Sequence, residues 1–68
     1  MKERIESRLK CMIGWLESEI VNYTKEDLIK DTNRIMNAIY ESEFVDIITV
    51  AQSNELTELV IKYVGKYM

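Results

Sequence analysis

The 68-residue sequence contains no histidine and no proline, and its single cysteine is Cys11. Without histidine the common zinc frameworks are excluded, and one cysteine cannot form a disulfide within the chain. No apolar run approaches the roughly 18 residues that a membrane span needs, and the N-terminal residues lead into no apolar segment of the signal-peptide type. We therefore expect no metal, cofactor, disulfide or membrane anchor, and a reducing compartment such as the cytoplasm.

The composition is that of a small globular protein, with 47% hydrophobic and 31% charged residues. The hydrophobic fraction is too high for a disordered chain, and the charged fraction is too high for a membrane protein. A single domain over residues 1–68 has a core that supplies only about 3 to 5 kcal/mol, and domains of this size usually need further support. Because disulfides and metals are excluded, we expect homodimerisation to supply it.

Helical periodicity of the apolar residues predicts an all-α fold, a bundle of about four helices of which the third is short. The first helix is expected over residues 3–22 and the second over 25–41. The third covers the apolar stripe from 44 to 51, and the fourth the stripe from 56 to 67.

The start of the second helix carries the clearest local signal in the sequence. Thr24 is a good N-cap residue, and Asp27 completes a capping box with it. Tyr23 and Leu28 flank this cap with the spacing of a hydrophobic staple.

The breaks on either side of the third helix are less clearly marked. A break is expected near Ser42, because the apolar stripe rotates there by roughly 110°. Ser53 and Asn54 are both good N-cap residues and mark the start of the fourth helix. Residues 44–50 are also rich in β-branched side chains, so a strand that pairs with residues 59–64 is the alternative.

Few side chains in this sequence are suited to catalysis. Cys11 lies within a predicted helix, with no neighbouring base to activate its thiol. Asp27 and Asp31 form a carboxylate pair on one helix face, but solvated helix surface accounts for them. The Glu-x-x-His signature of helical metal sites is absent. We expect neither an enzyme nor a metal site.

The first helix has a column of small residues on the side away from its apolar stripe: Ser7, Cys11, Gly14 and Ser18. Gly14 costs about 1 kcal/mol against alanine inside a helix, so a close backbone approach would account for its presence. Trp15, beside it, is typical of binding hot spots, although a cation–π contact with Arg4 or Arg8 would also hold the indole. An ordinary solvent-facing side is the alternative.

Tyr63 and Tyr67 lie one helical turn apart near the end of the chain. Packing in a core or an interface explains them better than a ligand pocket or a stacked base. The full predicted interface comprises Cys11, Gly14, Trp15, Ser18, Tyr63 and Tyr67.

Charge is distributed unevenly along the sequence. Between residues 35 and 61 there are five acidic residues and no basic one: Glu41, Glu43, Asp46, Glu55 and Glu58. Such a region disfavours DNA binding, because phosphate contacts rely on clusters of lysine and arginine. We interpret it as a docking face for a basic partner protein, with a solvated acidic surface as the alternative.

These features predict a non-catalytic protein-interaction module, a regulator or inhibitor that binds a partner protein as a homodimer. A self-assembling structural bundle without an external ligand is one alternative. An RNA-binding dimer is another, although RNA is the less favoured partner. That dimer would use the basic residues of the first helix, Lys2, Arg4, Arg8 and Lys10.

Overall fold

The structure, a computed structural model, describes residues 2–18 and 22–68. It contains three α-helices, α1 (Lys2–Ser18), α2 (Lys25–Phe44) and α3 (Val50–Val64), and a 3-10 helix, η1 (Gly65–Tyr67). No strand occurs within these residues. The all-α prediction is therefore confirmed, whereas the count of four helices is wrong. Residues 19–21, near the expected end of the first helix, lie outside the described residues.

The three helices form an up-down-up bundle. Lys2 pairs with Glu55 at the starts of α1 and α3, and Glu17 accepts a hydrogen bond from Tyr67 near their ends, so these two helices run in parallel. α2 contacts both helices. It runs antiparallel to them, because Ile5 near the start of α1 lies by Ser42 near the end of α2, whereas Trp15 near the end of α1 meets Tyr23 just before α2. The bundle measures only 39 × 18 × 16 Å, so most of its residues lie close to solvent.

Each helix contributes to the small hydrophobic core. Its buried members are Leu9, Met12, Leu28, Ile39, Leu56, Leu59, Val60 and Val64. All of them belong to the apolar stripes that periodicity predicts. No described helix combines the length and the apolar character needed to cross a membrane.

α2 begins at the capping box that the sequence predicts. The Thr24 hydroxyl accepts a hydrogen bond from the Asp27 N–H at 3.2 Å, and the Asp27 carboxylate accepts one from the Thr24 N–H at 3.0 Å. That backbone hydrogen bond holds the pKa of Asp27 below its usual value. Tyr23 packs against the core cluster that contains Leu28, as a hydrophobic staple requires.

Replacing Thr24 with alanine is expected to lower the free energy of unfolding by about 1 kcal/mol, because the variant loses the N-cap hydrogen bond. Urea unfolding followed by circular dichroism measures the change. Lys25→Ala is the matched control, since its exposed side chain takes no part in the cap. A loss of only a few tenths of a kcal/mol for Thr24→Ala would show that the cap contributes little.

The break predicted near Ser42 occurs three residues later, because α2 continues to Phe44. Ser42 is buried, and its hydroxyl donates to the Ala38 carbonyl one turn earlier at 2.8 Å, so it lies inside a regular helix. Phe44 stays in α2 but faces solvent, with 89% of its surface exposed.

α2 ends in a Schellman motif with Asp46 at its left-handed position, φ 60°. The Ile47 N–H donates to the Ser42 carbonyl at 2.8 Å, and the Asp46 N–H donates to the Glu43 carbonyl at 3.1 Å. Glycine usually occupies this position, and aspartate is one of the few other residues that tolerate it. The motif was missed in the sequence because the usual glycine is absent.

The short third helix predicted over residues 44–51 does not form, and neither does the strand that was its alternative over residues 44–50. Residues 45–49 form the turn that follows α2, and α3 begins at Val50. Thr49 caps α3 through a second capping box with Gln52, whose side chain accepts from the Thr49 N–H at 2.8 Å. Ser53 and Asn54, the predicted N-caps, lie within α3, where Ser53 is buried.

Asp46→Gly is expected to raise the free energy of unfolding by up to about 1 kcal/mol, because glycine adopts positive φ without the steric cost that other residues pay. Asp46→Asn removes the same charge while keeping a side chain, and it separates the electrostatic effect from the backbone effect. Urea midpoints of the three proteins provide the comparison. A glycine variant less stable than the asparagine variant would contradict this account of the turn.

Candidate functional site

A group of large apolar side chains is exposed where α2 meets the following turn. We call this group the turn patch: Tyr40, Phe44, Val45 and Ile47, which are 56%, 89%, 58% and 71% exposed. They line one open groove. Contiguous exposed apolar surface on a small soluble protein usually marks an interaction site. The turn patch is therefore the strongest candidate site in the described structure.

An apolar hollow lies next to the turn patch, between α1 and α2. We call it the α1–α2 hollow: Arg4, Ile5, Ile35, Ala38, Ser42 and Ile47. Ala38, Ser42 and Ile47 also line the groove of the turn patch, so the two form one continuous surface. Ala38 is exposed and small, and it allows another backbone to approach α2 closely at this point.

Charges of both signs line this surface. Glu41 lines the groove of the turn patch, and Glu43 follows it in the last turn of α2, which contains no basic residue. Acids at this end oppose the helix dipole, whose negative pole lies at the C-terminus. Arg4 lines the α1–α2 hollow. Neither Arg4 nor Glu41 forms an ion pair with another described residue.

The acids predicted as a docking face are divided between two elements. Glu41, Glu43 and Asp46 lie at the end of α2 and in the turn, whereas Glu55 and Glu58 occupy exposed positions on α3. Glu55 pairs with Lys2 at the start of α1, and this contact raises the pKa of the Lys2 ammonium. Both side chains are more than half exposed, so the pair adds little to stability.

Trp15, a predicted interface residue, takes part in an intramolecular cluster. The Arg8 guanidinium lies 5.0 Å from the centre of the indole, and the Tyr23 ring meets it edge-on at 5.4 Å. The Tyr23 hydroxyl donates to Asp31 at 2.8 Å; burial and this neighbouring carboxylate together raise the pKa of the phenol. Contacts within one chain therefore account for Trp15.

The rest of the predicted α1 surface is open. Cys11, Gly14 and Ser18 are exposed, and a Cβ placed on Gly14 would have no neighbour within 4 Å outside its own helix backbone. Gly14 is therefore not explained by a close approach within this chain. The Ser18 hydroxyl donates to the Trp15 carbonyl at 3.2 Å. This side of α1 remains a predicted surface for a second molecule.

Tyr63 and Tyr67 are half-buried and pack against the core. The Tyr67 hydroxyl donates to Glu17 at 2.6 Å, which joins η1 to the end of α1. The Lys66 ammonium lies 5.0 Å from the centre of the Tyr67 ring. Both tyrosines thus have contacts within the chain, as core packing would require.

Three of the four basic residues considered for RNA binding lie beside acids. Lys2 pairs with Glu55, as described above. Arg8 lies 3.3 Å from Asp31, and Lys10 lies 3.2 Å from Glu6. These neighbours reduce the positive potential that phosphate binding requires.

The carboxylates considered for catalysis have structural partners. Asp27 completes the cap of α2, and Asp31 accepts hydrogen bonds from Tyr23 and Arg8. The described residues contain no group of three or more metal-ligating side chains placed to hold an ion.

Sequence reasoning missed the turn patch because it assigned every periodic apolar residue to the core. The residues around Phe44 fit a helical stripe, and nothing in their identity distinguishes a core position from an exposed one.

Comparison with protein-family models, with curated proteins and with solved structures finds no match for this chain.

Proposed function

We propose that this protein is a small non-catalytic interaction module, a regulator or inhibitor that works as a homodimer and binds a partner protein. The observation that carries this proposal is the turn patch, in which Phe44 is 89% exposed. An aromatic side chain in this position costs solubility and contributes little to the core, so we assign it to an intermolecular contact.

Self-association is supported by the balance between core and surface. Only eight apolar side chains are buried among the described residues, while Val50, Ile61 and Met68 are exposed in addition to the turn patch. A chain of this size gains stability by covering such surface with a second copy. The single free thiol of Cys11 suits a reducing compartment such as the cytoplasm.

Partner binding is supported by the acids that remain exposed. Glu58 is exposed on α3, about one helical turn after Glu55. It forms no ion pair with another described residue. A homodimer presents this acidic face twice, which favours a partner with more than one basic segment. Charge of this kind speeds association and sets specificity more than it adds affinity.

The partner proposal is tested by affinity capture at low and high salt from the cell that makes the protein. We expect the wild-type chain to retain a basic protein that a Glu55→Lys/Glu58→Lys variant loses. Glu3→Lys/Glu26→Lys makes the same charge change elsewhere and serves as the matched control. Retention of RNA would favour the RNA-binding alternative. Retention of nothing by the wild type would favour the structural bundle.

A further inference from the structure

The apolar side chains of the turn patch alternate in the sequence with acids. Glu41 lines the groove itself. Glu43 directly precedes Phe44, and Asp46 lies in the turn that follows α2. None of these acids forms an ion pair with another described residue. No described residue that lines the groove is basic, and Arg4 lines the adjoining α1–α2 hollow instead. The groove is therefore bordered by negative charge.

Local structure does not account for these acids. Glu41 and Glu43 lie in the last turn of α2, which contains no basic residue. The negative pole of the helix dipole lies at this end, so each carboxylate slightly disfavours the helix. Asp46 occupies the left-handed position of the turn, where glycine has the lower steric cost. A cation supplied by another molecule would be attracted to all three carboxylates and would offset the unfavourable interaction with the dipole.

The combination of exposed apolar side chains and acids distinguishes between possible occupants of the turn patch. Nucleic acid and anionic lipid headgroups carry charge of the same sign as the patch and would be repelled. A second copy can cover the apolar side chains, but a two-fold contact places the same acids on both of its sides. An apolar segment that carries lysine or arginine satisfies both requirements, because it covers Phe44 and also supplies the missing cations.

We propose that the turn patch binds a short segment of the partner protein in which basic residues flank a bulky apolar side chain. The apolar side chain packs against Phe44 in the groove, and the basic residues lie near Glu41, Glu43 and Asp46. Because the proposed homodimer also uses Phe44, the segment and the second copy compete for this surface. The homodimer is then the form that the chain adopts before the partner binds. This inference rests on the proposed function and specifies where, and through which chemistry, the partner binds.

A synthetic peptide tests the chemistry of the occupant. The probe is a short fluorescent peptide in which lysines flank a tryptophan and a leucine, and fluorescence anisotropy measures its binding to the wild-type chain. One control peptide has glutamate in place of every lysine, and the other has serine in place of both apolar residues. We expect the probe to bind about tenfold more tightly than either control, since each control lacks one of the two kinds of contact. Added salt should weaken its binding.

Variants of the chain test the place of binding. Glu41→Lys/Glu43→Lys is expected to weaken binding of the probe about tenfold or more, and Phe44→Ser about thirtyfold. Both should keep the fold, because lysines at the end of α2 agree with the helix dipole and Phe44 is exposed. Circular dichroism checks their helicity. Glu3→Lys/Glu26→Lys is the matched control, since it makes the same charge change at exposed positions away from the turn patch.

Glu55→Lys/Glu58→Lys separates the turn patch from the acids of α3. If this variant loses the probe and Glu41→Lys/Glu43→Lys keeps it, the docking assignment is overturned, while the proposed basic partner is retained and placed on α3. Equal binding of the probe and its acidic control, or no binding to the wild type, also overturns the assignment and leaves the proposed function to the capture experiment.

Sedimentation of the wild type with saturating probe tests the competition with the second copy. We expect the dimer to convert into single chains that each carry the peptide. A dimer that binds the probe without dissociating overturns the competition. A wild type that is monomeric without the probe overturns the proposed homodimer, and the peptide titrations still decide where the segment docks.

Discussion

Replacement of Ile39 by alanine is expected to lower the free energy of unfolding by about 2 to 5 kcal/mol. Ile39 lies in the middle of α2 with none of its surface exposed, and its side chain belongs to the core shared by the three helices. A domain of this size has only about 3 to 5 kcal/mol from its core. We therefore expect the variant to lose most of its helical circular dichroism at room temperature.

Ile61→Ala is the matched control, because it removes the same atoms from a side chain that is 62% exposed on α3. We expect its unfolding free energy to stay within about 0.5 kcal/mol of the wild type. Urea titrations of the three proteins at equal concentration give the comparison. Equal losses for the two variants would contradict the division between core and surface described here.

Phe44→Ser is expected to weaken self-association by about thirtyfold or more, the effect of losing a central aromatic anchor worth roughly 2 kcal/mol. The isolated chain should keep its helicity, since Phe44 is 89% exposed and packs little within its own chain. Dilution followed by sedimentation velocity measures the dissociation constant. Phe44→Leu keeps an apolar side chain and should retain most of the association.

Gly14→Leu tests, in the same sedimentation experiment, the interface that the sequence predicts on the small-residue side of α1. A bulky side chain on α1 has room in the single chain, and leucine is the better helix former. If the second copy binds at α2, this variant should associate as the wild type does. Loss of association in Gly14→Leu, with none in Phe44→Ser, would place the dimer contact on α1.

The core and the first capping box could be predicted from the sequence because both depend on local spacing. Leu28 and Ile39 recur at helical intervals, and Thr24 stands three residues before Asp27. The interactions that these patterns indicate form between residues only a few positions apart in the sequence. The prediction therefore agrees with the structure at these positions.

The turn between α2 and α3 could not be predicted in the same way. Asp46 replaces the glycine that usually ends a helix in the left-handed conformation, so the stop signal was weak. Ser53 and Asn54 are also good N-cap residues, and residue type alone does not rank them below the true cap, Thr49 with Gln52. Periodicity groups Phe44 with the residues of the predicted third helix. It does not show whether an apolar side chain is buried or exposed once the helices pack together.

The central claim is that this chain associates with itself, and sedimentation equilibrium of the wild-type protein over a range of micromolar concentrations tests it most directly. We expect a mass of twice the 8.1 kDa chain at the upper concentrations, which falls towards the monomer on dilution. The melting temperature should rise with concentration in the same samples. A mass of 8.1 kDa at every concentration, with a constant melting temperature, would contradict the account.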